Sequence, residues 1–153
     1  MIKKLAMTTL VTAALTSSAL LHATEVEYLN SGKILPTTMP FSEAVRVGDV
    51  VYLSGQVGNI PGTLELAPGG MKEEATQIME NIKTSLEAHD LTMDNVVKCL
   101  VMLTDMSEWS DMNEVYSSYF SEGRYPARSS VGVSALAFDA RAEVECIAVV
   151  GND

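Results

Sequence analysis

Two side chains stand where chemistry is possible. Arg128 lies in Arg124-Tyr125-Pro126-Ala127-Arg128-Ser129-Ser130-Val131, just past a rigid Pro turn and leading into an apolar run. Fifteen residues on, Glu143 opens the closing stretch Glu143-Val144-Glu145-Cys146-Ile147-Ala148-Val149-Val150, which otherwise reads as a buried strand. A guanidinium is a planar, permanently charged fork that grips a carboxylate through two parallel hydrogen bonds. A carboxylate inside an apolar strand is costly unless it is paired or has proton chemistry to do. Cation and carboxylate together would bind and process a small carboxylate-bearing molecule.

The elements that must position them follow from periodicity. Thr24 to Leu29 alternates as a half-buried strand, and Asn30 to Pro40 is a loop rich in Gly, Pro, Ser and Thr. Ala44–Val47 and Val50–Leu53 flank Gly48-Asp49, the pattern of a tight II′ hairpin. The second of these strands ends at Ser54-Gly55-Gln56, where a glycine marks a bulge or a close backbone approach. Ala75, Ile78, Met79, Ile82 and Leu86 form a helical stripe, with Glu73 and Glu74 in the first turn. Val96 to Leu103 reads as an interior strand. A second helix is expected from an N-cap at Ser107 to about Ser121, with Trp109, Met112, Val115, Tyr116, Tyr119 and Phe120 on its core side. Ser129–Val133 and Ala142–Val150 complete a β-β-β-α-β-α-β-β order: an α+β domain, a mixed sheet with two helices on one face. In the last strand the apolar set Val144, Cys146, Ala148 and Val150 should face the helices. Glu143 and Glu145 then lie on the uncovered face, which self-association would bury. Asn113 reads as a structural hydrogen-bonding residue and His89 as a solvated helix cap.

Residues 1–23 read as a secretory signal peptide: Lys3-Lys4, an apolar run to Leu21, and a small residue, Ala23, at the cut. The 24–153 remainder is a single domain of 130 residues, with 8 basic residues against 20 acidic ones and no membrane anchor after cleavage. The expected location is secreted or periplasmic. So acidic a surface, with no basic stripe, disfavours nucleic acid as a partner. Cys99 and Cys146, the only cysteines, fall in apolar strand-like runs; the reading favours two buried thiols over a disulfide. Their spacing and the scarcity of His give no metal-site signature.

Ser54-Gly55-Gln56, Asn113, Tyr125-Pro126-Ala127-Arg128-Ser129 and Glu143-Val144-Glu145-Cys146-Ile147-Ala148, in this order, resemble the Rid (YjgF-like) family of imine/enamine deaminases over about Ile34 to Val150. The resemblance implies a chorismate-mutase-like fold, a homotrimer with clefts between subunits, and hydrolysis of 2-imino acids to 2-keto acids and ammonia without a cofactor. It gives Arg128 the substrate carboxylate and Glu143 the water or proton step, with Ser54, Gly55, Phe41 and Ser130 lining the cleft. Two positions depart from the family: Met39-Pro40-Phe41 replaces Gly-Pro-Tyr, and Ser130 stands where many members carry Cys. The alternative is a non-catalytic trimer that binds small carboxylates or another protein through the same cleft.

Overall fold

The computed structural model describes residues 25–151; the signal-peptide reading falls outside the described residues. Six strands form one sheet: β1 (Val26–Leu29), β2 (Ala44–Val47), β3 (Val50–Leu53), β4 (Val96–Leu103), β5 (Ala127–Gly132) and β6 (Ala142–Val149), in the spatial order β1-β2-β3-β6-β4-β5. All neighbours are antiparallel except β4 and β5. Helices α1 (Met71–Ala88) and α2 (Trp109–Ser118) cover one face. The mixed sheet with two helices is the expected architecture. Among the described residues no helix is long and apolar enough to cross a membrane.

The hairpin between β2 and β3 closes with Val47 opposite Val50, and the positive φ falls on Gly48 at 59°. That is the II′ requirement, which a glycine meets without a Cβ clash. Helix α1 starts where Glu73 Oε2 accepts from the Gly70 amide at 2.8 Å. That bond holds the Glu73 carboxyl below its usual range. Ala75, Ile78, Met79, Ile82 and Leu86 are all buried against the sheet, as their spacing predicts.

Strand β6 alternates as expected. Ala142, Val144, Cys146 and Ala148 are buried in the core with the helices, whereas Glu145 is exposed and Glu143 half-buried on the open face. β4 repeats the pattern, with Cys99, Val101 and Leu103 inward.

Four expectations need correcting. Cys99 and Cys146 sit directly opposite one another on β4 and β6 and form a disulfide, with Cα atoms 4.1 Å apart. Sharing the inward face makes the two side chains neighbours, which their separate apolar runs could not reveal. The cap before α2 is Asp105, whose side chain accepts from the Ser107 amide at 2.8 Å; a 3-10 turn over Met106–Glu108 then leads into the helix. Trp109, read as core, is 40% exposed. His89 is the C-cap of α1, as expected, but not a solvated one: its Nε2 lies 3.6 Å from Glu43 Oε1, both side chains being largely covered.

Candidate functional site

The expected site residues fall into two groups on opposite faces of the sheet. Arg128 pairs in register with Cys99 and shares its helix-side face. Ser130, two residues along β5, pairs with the buried Val101 and lies on the same face. Glu143 pairs with Met102 on the open face. Within one chain the cation and the carboxylate therefore do not meet.

Each group lines a cleft of its own. On the helix side, Asn113, Tyr116, Ser117, Tyr125, Pro126 and Arg128 line a cleft of about 390 Å³. β5 is the last strand of the sheet, and there α2 overhangs the arginine. Arg128 donates from its terminal nitrogen Nη2 to Asn113 Oδ1 at 2.6 Å. Its guanidinium carbon lies 4.6 Å from the Tyr116 ring centroid and 5.7 Å from that of Trp109. Aromatic faces attract the cation and fix the plane of the fork, while Asn113 uses only part of its five-donor capacity. Burial pushes the Tyr116 phenol up to about 12, with Arg128 pulling the other way, so the ring next to the cation stays neutral. Sequence reading missed Trp109 and Tyr116 as partners of Arg128. Their three-and-four spacing is shared with true core positions.

On the open side, Phe41, Ser54, Gly55, Gln56, Phe138 and Glu143 line a second cleft, of about 300 Å³. The glycine of Ser54-Gly55-Gln56 is explained by close approach: a Cβ on Gly55 would collide with the Glu143 carboxylate. Gln56 and Val144 exchange both backbone hydrogen bonds, at 2.9 and 3.0 Å, which locks this segment beside Glu143. The Ser54 hydroxyl donates to the Ser42 carbonyl at 2.7 Å and so ties the Phe41 segment to the same wall. From α1, Asn81 donates to the carbonyls of Val57 and Asn59 and pins the next stretch of the rim. Gln56 Oε1 is buried with no protein partner.

Burial, then the neighbouring Glu145 charge, raises the Glu143 carboxyl above the ordinary carboxylate range. A carboxyl shifted this way takes and returns a proton nearer neutral pH. The shift has a stability sign. A raised folded-state value means the contribution is fully present below the ordinary carboxylate value and is lost as pH rises through the raised one. Glu143→Gln is therefore expected to raise Tm at pH 7, a gain of under about 1 kcal/mol that disappears at acidic pH. Thermal melts at pH 4 and pH 7 check this; a variant less stable than wild type at pH 7 contradicts it.

Residues 32–150 match the family model described as Endoribonuclease L-PSP. A 2-iminobutanoate/2-iminopropanoate deaminase from Mus musculus is 42% identical over 125 residues, covering 78% of this chain and 92% of the relative. The crystal structure of RidA from a Psychrobacter species superposes with a TM-score of 0.75 at 40% identity, covering 81% of this chain and 99% of that one. E. coli TdcF, solved with bound serine, gives a TM-score of 0.73 at 32% identity and covers 80% of this chain and 98% of its own. The clefts at Arg128 and Glu143 are thus carried on a fold shared over nearly the whole length of these relatives, and the chain belongs to the YjgF/Rid family.

Proposed function

We propose that the protein is an imine deaminase that hydrolyses 2-imino acids to 2-keto acids and ammonia, at sites completed between copies of the chain. The observation that carries this reading is the placement of Arg128 and Glu143 on opposite faces. One chain offers a carboxylate clamp with no acid–base group, and an acid–base group with no clamp. A closed ring, a trimer in this reading, brings the Arg128 cleft of one copy against the Glu143 cleft of the next. The names of the relatives support the chemistry, and the serine bound to TdcF supports a small ligand that carries a carboxylate. The family model's description names an endoribonuclease. A chain with 20 acidic against 10 basic residues repels a polyphosphate backbone.

In the reaction, Arg128 holds the substrate carboxylate and orients the imine carbon toward water, a gain in proximity and direction. Glu143 takes a proton from that water as its oxygen bonds to C2 and the C=N π bond opens, and returns the proton to the nitrogen, giving a carbinolamine. Glu143 then takes the carbinolamine hydroxyl proton and delivers it to the nitrogen as the C–N bond breaks: ammonia leaves, the oxygen keeps the carbon as a ketone, and Glu143 ends in its starting state. Gly55 lets the Glu143 carboxylate sit against the backbone. No step calls for a cofactor. The open-side cleft lacks a phenol at position 41 and the clamp strand carries Ser130, so proton handling falls to Glu143.

The same reading includes export. The Lys3-Lys4 head with its apolar run, and a disulfide whose formation needs an oxidising compartment, both support a secreted or periplasmic protein. Osmotic-shock fractionation with intact-mass measurement tests it; an uncleaved cytoplasmic chain would refute it.

The deciding experiment generates 2-iminopropanoate in situ and follows its decay. Purified protein is expected to accelerate the decay, and Arg128→Ala to remove most of the acceleration. Decay no faster than buffer, with the small carboxylate still bound, leaves the binding-module reading in its place.

A further inference from the structure

We infer that the open-side cleft selects imino acids with large apolar side chains, aromatic ones included, and that Phe138 and Phe41 set this preference. The inference rests on the deaminase reading and deepens it. Its first support is how the lining is divided. Leu35, Met39, Phe41, Val57, Ala137 and Phe138 supply the apolar wall. The polar groups beside them are mostly turned into the protein. The Ser54 hydroxyl is spent on the Ser42 carbonyl, the Gln56 side-chain amide N–H on Ser54, and the Asn59 amide on Thr63, with its oxygen facing Asn81. What this wall leaves for a ligand is the Glu143 carboxylate, enough for the reacting centre and little more.

The size of the cleft agrees. A volume of about 300 Å³ lies at the lower end of cavities that take whole small-molecule ligands. It leaves space beyond the methyl group of 2-iminopropanoate. Glu143 is the one charged residue that this chain gives the lining, and the Arg128 brought by the next copy is taken up by the substrate's own carboxylate. A charged substrate side chain would therefore be desolvated there without a partner, and an acidic one repelled by Glu143 as well.

The third support is backbone conformation. Phe138 sits at φ 59°, ψ 22°, and Asp139 also has φ 59°. A bulky L-residue in the left-handed region is strained, and such residues persist where the surroundings over-determine them. The Phe138 ring is 43% exposed, and that of Phe41 47% exposed, so neither is held by core packing. The surroundings that hold the turn are visible just after it. Glu74 Oε1 accepts from the Arg141 amide at 2.7 Å and the Ala142 amide at 3.4 Å, fastening the start of β6 to helix α1. The turn thus leads directly into an anchored strand start and carries an aromatic ring to the rim of the cleft.

The test compares kcat/KM for imino acids generated in situ by an amino-acid oxidase from alanine, leucine, phenylalanine and glutamate. One methylene in an apolar pocket discriminates about 10- to 200-fold, so the leucine- and phenylalanine-derived imines are expected to exceed the alanine-derived one by about tenfold or more. The glutamate-derived imine should be the poorest. Phe138→Asn should lower the phenylalanine-to-alanine ratio by about tenfold. Asn accepts the left-handed backbone, so a Tm at or above wild type shows that the fold is kept. Calorimetric titration with phenylpyruvate and pyruvate reads the same pocket without turnover: phenylpyruvate should bind the wild type more tightly by a similar factor. A wild-type ratio of one or less, or phenylpyruvate binding no better than pyruvate, overturns the inference. So does a ratio unmoved by both Phe138→Asn and Phe41→Ala, or one unmoved while the assembly mass changes, which would give the two rings to a second copy. If no imine decays faster than buffer, the deaminase reading falls while the titration still reports on the pocket.

Discussion

Co-refolding equal amounts of Arg128→Ala and Glu143→Ala protein is expected to restore about a quarter of wild-type activity, although each variant alone is nearly inactive. Loss of a positioned charged group at a reacting centre lowers rates by about 10²–10³, and loss of a general acid–base group by about 10²–10⁴. Arg128 and Glu143 lie on opposite faces of the same sheet, so their clefts cannot close on each other within a chain. In a closed ring each site draws Arg128 from one copy and Glu143 from the next. Random assembly gives an intact pair whenever the first is the Glu143→Ala chain and its neighbour the Arg128→Ala chain, about one site in four. Steady-state turnover of 2-iminopropanoate, measured on the mixture and on each variant refolded alone, decides. Recovery that never exceeds the average of the two variants would mean that the site is not shared.

Removing both cysteines, as Cys99→Ala with Cys146→Ala, is expected to cost about 4 kcal/mol of stability and about 10–15 °C in Tm. The bond closes a sequence separation of 47 residues, and a loop of that length holds the unfolded chain in far fewer conformations. Its two half-cystines are 1% exposed each, in the shared core beneath α1 and α2. Truncation to Ala therefore also removes packed sulfur from a dense interior, a loss in the same direction. Melting the oxidised protein, the reduced protein and the double variant separates the two contributions. The reduced wild type keeps both sulfur atoms, so its deficit measures the cross-link. A deficit below about 3 °C in both altered forms would assign the bond a negligible part in stability.

How much of this was readable in the residues differs from element to element. The alternation in Ala142–Val149 placed Glu143 on the open face because a strand has period two and one face had to be apolar. Gly48-Asp49 announced its hairpin because only a glycine takes that turn without strain. Gly55 announced a close approach, and the structure supplies the Glu143 carboxylate as the group approached. Other features depend on which strands become neighbours. Cys99 and Cys146 bond because β6 lies beside β4 with those positions in register, a fact of topology rather than of either local run. Trp109 continues the apolar periodicity of α2, but it projects beyond the last strand, where Arg128 rather than core awaits it. Phe138 gave no signal at all, since its positive φ is imposed by the turn around it and not by any preference of phenylalanine.

The strand order carries a consequence for timing. Among the described residues β6 lies between β3 and β4 and is the one strand that joins the β1-β2-β3 ribbon to the β4-β5 pair. Until it arrives, each of those pieces keeps an unpaired edge and Cys99 has nothing to bond with. The sheet is therefore closed from its middle, by the strand that follows the other five in sequence. One strand thus joins the two pieces and carries both Cys146 and Glu143 to their places.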